Sequence, residues 1–130
     1  MPRPILEESL VAVAVAASLV AASLAGLPEA LGAHPWWAQQ SAIIGGVGGA
    51  VLWLVLRRLD LSFSALVVVA VSALLASAAA AHFGKQVFAA SFAENALAGR
   101  FWYFGWFGLS GSVALTMCLV AFGLSRRTGN

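Results

Sequence analysis

The sequence predicts an all-α fold: an integral membrane bundle of four transmembrane helices, N-in/C-in, with a short interfacial helix in the second outer loop. Two observations carry that reading. Of the 130 residues, 62% are hydrophobic and 9% charged, against about 25% charged in a soluble domain. The charges also leave four apolar gaps, each close to the ~20 residues that a spanning helix needs. A single four-helix domain, residues 1–130, accommodates all of them.

The gaps lie between Glu8 and Glu29, His34 and Arg57, Asp60 and His82, and Arg100 and Arg126. They set spans at about 9–28, 37–56, 61–81 and 101–125. The first is no cleaved signal. Glu7 and Glu8 stand where a signal carries positive charge, and the apolar run exceeds the usual ~7–15 residues. With four spans, Arg3, Arg57, Arg58, Arg126 and Arg127 share one side, while Lys85 and Arg100 share the other. The basic excess marks the first side as cytoplasmic, in a bacterial inner membrane, with both termini inside.

The connections follow. Arg57-Arg58-Leu59-Asp60 is a tight cytoplasmic turn, which predicts that spans two and three are antiparallel neighbours. The first outer loop carries Pro28, Pro35 and the pair Trp36-Trp37, indoles suited to the headgroup boundary. Phe88, Phe92 and Asn95 share helical spacing between Phe83 and Arg100, which predicts a helix lying on the outer surface. Trp36, Trp37, Arg57, Arg58, Arg126 and Arg127 are the expected interfacial anchors.

In lipid, helices associate through close backbone approach and interhelical hydrogen bonds. Gly45 and Gly49 form a GxxxG ridge on span two, and every span offers a small-residue face: Ala17, Ala21 and Ala25; Ala65, Ser72, Ala76 and Ala80; Gly105, Gly108 and Ser112. These faces suit internal bundle packing, with the Gly45–Gly49 ridge the best candidate for contact with a partner. Trp102, Trp106 and Phe107 belong to the run Phe101-Trp102-Tyr103-Phe104-Gly105-Trp106-Phe107. That run serves anchoring and bundle packing, or packs against a pigment, a quinone or a neighbouring helix.

Candidates for chemistry are few. No ionisable residue lies mid-span, which counts against ion-coupled transport and proton relay. Glu7 and Glu8 read as favourable charge at a helix N-terminus, with a salt bridge as the alternative. His34 and His82 share the outer side and are weak candidates for a metal or a haem edge, without ligand spacing. Cys118 reads as a small buried hydrophobe. No Ser/His/Asp set, phosphate loop or carboxylate pair is present, so no enzyme, cofactor or metal is expected. The seven basic residues form no stripe, which removes nucleic acid.

Glu94-Asn95-Ala96-Leu97, followed by the aromatic run and an apolar stretch to Arg126-Arg127, resembles the last span of the membrane input domain of LytS-like sensor histidine kinases. Leu56-Arg57-Arg58-Leu59-Asp60 with Ser62-Phe63 is similar to the turn between their second and third spans. The likeness covers the last two thirds of the sequence and implies a four-span input module. No phosphoacceptor helix or nucleotide-binding segment follows, so kinase activity is not implied. The expected function is therefore non-catalytic: an accessory subunit that assembles with other membrane proteins or with itself. A sensory input module is the alternative, and a small transporter or channel the second.

Overall fold

The computed structural model describes residues 2–128, and side chains from Ile5 to Ser125. It is all-helical: α1 (Pro2–Leu24), α2 (Leu27–Ala30), α3 (Ala38–Leu56), α4 (Phe63–Ala90) and α5 (Ala96–Thr128). Four of these, α1, α3, α4 and α5, are long and apolar enough to cross a membrane. A helix satisfies its backbone groups internally, which is what a chain dominated by Ala, Val, Leu and Gly requires in hydrocarbon.

Backbone geometry sets the ends. Gly26 has φ +86°, the left-handed conformation that closes a helix, and its N–H bonds to the Ser23 carbonyl at 3.1 Å. α1 therefore stops at Leu24, four residues before the expected end of span one. Pro28 then sits in the first turn of α2, where its missing N–H costs nothing. Ser62 caps α4, its hydroxyl accepting from the Ala65 N–H at 3.1 Å.

The expected surface helix in the second outer loop does not exist as a separate element. α4 runs unbroken to Ala90, because nothing between His82 and Ala90 interrupts a good helical sequence. The break comes at Ser91–Asn95, where Phe92 and Ala93 adopt positive φ. Asn95 then starts α5, its side-chain oxygen accepting from the Ala98 N–H at 3.0 Å. The connection between α4 and α5 is thus a short turn between two long helices. At 1.5 Å per residue, the 28 residues of α4 reach about 42 Å, beyond the ~30 Å hydrocarbon core.

The packing order departs from the chain order. α5 packs heavily on α4 and on α3, and α1 packs on α3 and α5. α3 and α4, joined by the Arg57–Leu61 turn, are antiparallel but make almost no contact with each other. The expectation that they are packed neighbours is therefore wrong, because α5 lies between them. Two glycine-lined faces of α5 explain this. A Cβ on Gly105 would lie 2.6 Å from the Ala81 nitrogen, and one on Gly108 would collide with the Ser77 hydroxyl, on the α4 side. A Cβ on Gly45 would lie 2.5 Å from the Phe107 carbonyl oxygen, and one on Gly49 would collide with the Gly111 carbonyl, on the α3 side. Backbone thus meets backbone on both flanks of α5, the condition under which helices associate in lipid.

Candidate functional site

The helices bring together two polar assemblies at opposite ends of the apolar spans. At the first end, α1 carries Glu8 against the α3–α4 turn. Glu8 Oε1 accepts from Arg57 Nε at 3.0 Å, and Oε2 accepts from Arg58 Nη1 at 2.9 Å. Glu8 is 3% exposed, Arg57 24% and Arg58 49%. A carboxylate so buried is tolerable only when both oxygens are satisfied. The Arg57 guanidinium also lies 4.2 Å from the centroid of Phe122 and 5.7 Å from that of Trp53. Arg57 thus joins α1, α3 and α5 at one point, while Arg58 holds the second oxygen from a more solvated position.

This arrangement corrects the reading of Glu8 as charge at a helix N-terminus. α1 begins at Pro2, so neither Glu7 nor Glu8 falls in its first turn. Arg57 and Arg58, expected as interfacial anchors, are ion-pair partners within the chain. Arg126 and Arg127 fall in the backbone of α5, and their side chains, like that of Arg3, lie outside the described residues. Beneath the triad, Trp53, Leu66, Leu115 and Cys118 are fully buried in the larger core cluster. The Trp53 indole N–H has no hydrogen-bond partner there among the described residues, a cost of about 1–3 kcal/mol borne by the packing.

At the second end the aromatics converge. Trp37 stands edge-on to Trp102 and to Tyr103, with centroids 5.3 Å apart in both pairs. His34 stacks on Trp37 at 6.0 Å and meets Trp102 edge-on at 5.6 Å. Phe88 closes on Trp102 at 5.8 Å from the α4 side. Trp102 Nε1 donates to the Gly32 carbonyl at 3.3 Å, fixing α5 to the connection between α2 and α3. Lys85 Nζ lies 5.8 Å from the Trp102 ring centroid, within cation–π range. His34 Nδ1 accepts from the Trp36 N–H at 3.2 Å, so a neutral His34 carries its proton on Nε2. Around these rings is a cleft of about 350 Å³, whose walls also include Ala96, Gly99 and Arg100.

The sequence treats Trp36 and Trp37 as a like pair, but the structure separates them. Trp36 is 91% exposed, whereas Trp37 is half-buried in the cluster. Trp106 turns inward and is buried with Ala33, Ala38 and Ala81. Phe107 packs on Tyr103 at 4.9 Å and presents its carbonyl to Gly45. Gly45 and Gly49 are buried against α5 and offer no ridge for a partner. His82 is exposed, with only Phe83 as a ring neighbour among the described residues. Among those residues, no group of three or more His, Cys, Asp or Glu side chains is placed to hold a metal.

The salt bridge weighed as the alternative for Glu8 forms with Arg57 and Arg58; these partners, and Lys85 against Trp102, were not named by sequence reasoning. A signal for the first existed: an acidic residue at the head of one span and two arginines at the foot of the next fall at the same membrane depth. Compared with protein-family models, curated proteins and solved structures, the chain matches none.

Proposed function

We propose that this chain is a non-catalytic, multi-pass protein of the bacterial inner membrane, N-in/C-in, acting by helix-mediated assembly as an accessory subunit of a larger membrane complex. The observation that carries the reading is the position of α4. It packs substantially on α5 alone, while α1 and α3 each pack on two of the other spans. Val67, Val68, Val71 and Leu75 of α4 face outward and present a branched apolar surface along one helix. Because Gly45 and Gly49 are consumed inside the chain, α4 becomes the face on which assembly rests. The gathering of Arg57, Arg58 and the ends of α1 and α5 at one end supports the orientation, by the positive-inside rule.

Cysteine cross-linking in native membranes tests this. In a Cys118→Ser background, Val68→Cys and Leu75→Cys should form defined adducts, with a second copy or with a neighbouring protein. Val13→Cys on α1, also outward-facing, should give none. Absence of adducts from both α4 positions would overturn the proposal.

A second reading, a sensory input module like that of the LytS-like kinases, is favoured by a specific observation. One helix, α5, carries Trp102 in the aromatic cluster at one end and Phe122 under Arg57 at the other. A displacement of Trp102 would therefore be felt along a single rigid element. Under this reading, accessibility of a cysteine at Ser125 should change when the aromatic end is occupied.

A further inference from the structure

We propose that the aromatic cleft binds the headgroup of a membrane-dissolved quinone, with its prenyl tail lying in the groove between α4 and α5. The inference concerns a ligand and stands independently of assembly.

The walls of the cleft are aromatic: Trp37, Trp102, Tyr103 and Phe88, with Trp36 at the rim. Its volume, about 350 Å³, falls within the ~300–1,000 Å³ of small-molecule sites. Flat π-faces and edges select a planar ring. The polar groups on the walls decide what the ring carries. Arg100 is a donor only, His34, whose Nδ1 accepts from the Trp36 N–H, has Nε2–H left to give, and Tyr103 has its hydroxyl. Among the described residues, no carboxylate lines the cleft. A cationic ligand would face Arg100 there and Lys85 behind Trp102, so the aromatic walls are not a cage for ammonium groups. A bare phosphate would leave the ring faces unmatched. A planar ring bearing carbonyl oxygens satisfies both the walls and the donors.

The source of the ring is set by what adjoins the cleft. A second groove, about 370 Å³, runs along the α4–α5 seam and is lined by Ala76, Ala80, Leu97, Arg100, Phe101 and Phe104. Arg100 thus borders both spaces. The groove exists because Ala76, Ser77, Ala80 and Gly105 carry little side chain at the seam, while Phe101 and Phe104 stand out beside it. It is apolar and lies on the lateral surface of the spans, where a branched hydrocarbon tail would lie in contact with lipid. A water-soluble aromatic acid has no use for it.

The test uses the full chain in phosphatidylcholine nanodiscs, with intrinsic tryptophan fluorescence as the readout. Decylubiquinone should quench saturably. Arg100→Ala should weaken this binding at least tenfold, while Val13→Ala on α1, which lines neither the cleft nor the groove, should leave it unchanged. Phe104→Ala should weaken decylubiquinone but not tail-less ubiquinone-0, whose binding to the wild type should be at least tenfold weaker. Wild-type unfolding temperatures for all three variants, whose substituted side chains are exposed, establish that the fold is intact. Linear, unsaturable quenching identical in the wild type and Arg100→Ala would overturn the site. Equal binding of decylubiquinone and ubiquinone-0 would overturn the role of the groove. Binding of 4-hydroxybenzoate as tight as that of decylubiquinone would overturn the membrane source.

Discussion

Arg57 and Arg58 are adjacent, bear the same charge and bond to the same carboxylate, yet their removal should have unequal consequences. Arg57→Ala removes a charge-assisted hydrogen bond from a buried acceptor, a loss of about 1.5–3 kcal/mol. It also removes a cation–π contact at 4.2 Å, which contributes about 0.5–2 kcal/mol. The combined loss is about 2–5 kcal/mol. Arg58 is half exposed, so solvent screens its pair and water can replace its bond. Its removal should cost about 0–1 kcal/mol, as for surface pairs. Glu8→Gln falls between, because both arginines can turn toward the aqueous boundary once released. Thermal unfolding of the purified variants in one detergent gives the ranking: Arg57→Ala most damaging, Arg58→Ala least. A cycle adding Glu8→Gln to Arg57→Ala should be strongly non-additive, because both act through one bond. Equal destabilisation by the two arginine changes would refute the argument from burial, and additivity would refute the pair itself.

Other outcomes follow from the same geometry. Gly49→Ala places a methyl against the Gly111 carbonyl and should destabilise the isolated chain by about 1–3 kcal/mol; Gly48→Ala, which meets nothing within 4 Å, should leave unfolding unchanged. Trp106→Ala empties a buried site and should cost about 3–5 kcal/mol in the same assay, while membrane insertion, read by carbonate extraction, survives. In the Cys118→Ser background, a cysteine at Ala90 should label with an impermeant reagent in intact cells and one at Ser125 should not; the reverse pattern would invert the orientation. Changing both His34 and His82 to Ala should leave folding intact, and loss of a stoichiometric metal or haem from that variant would show that the histidines are ligands.

Hydropathy and charge spacing make the four long helices legible, because each is a long apolar run with few charges. Side-chain detail within the ends was less legible. The extent of α4 to Ala90 was hidden, because Phe88 and Phe92 at helical spacing suit a surface helix as well as a continued span. Phe92 takes a positive φ that no propensity scale favours for it. The separation of α3 from α4 was hidden for a different reason. A tight turn normally implies packed neighbours, and only the glycines on both flanks of α5 reveal a helix between them. Glu8 was misjudged because the start of α1 was placed after it. With the helix beginning at Pro2, the same residue moves from the cap to the interior face. Trp36 and Trp37 are not told apart by sequence, since they are adjacent indoles in a turn before α3 and hydropathy does not resolve which one faces inward.

The wedged position of α5 also dictates an order of biogenesis. During synthesis the α3–α4 hairpin is complete when Ala90 has emerged, but its two helices have no surface for each other. The seam closes only when α5 is made, 38 residues later by the helix boundaries at Ala90 and Thr128. At ~5–20 residues per second that is a wait of about 2–8 s. Throughout it, the glycines of α3 and the small residues of α4 lack the helix that covers them in the folded chain. A nascent chain halted before α5 should therefore be a target for quality control, because α4 then lacks the helix it packs on. α5 is the helix on which the packing of α4 depends.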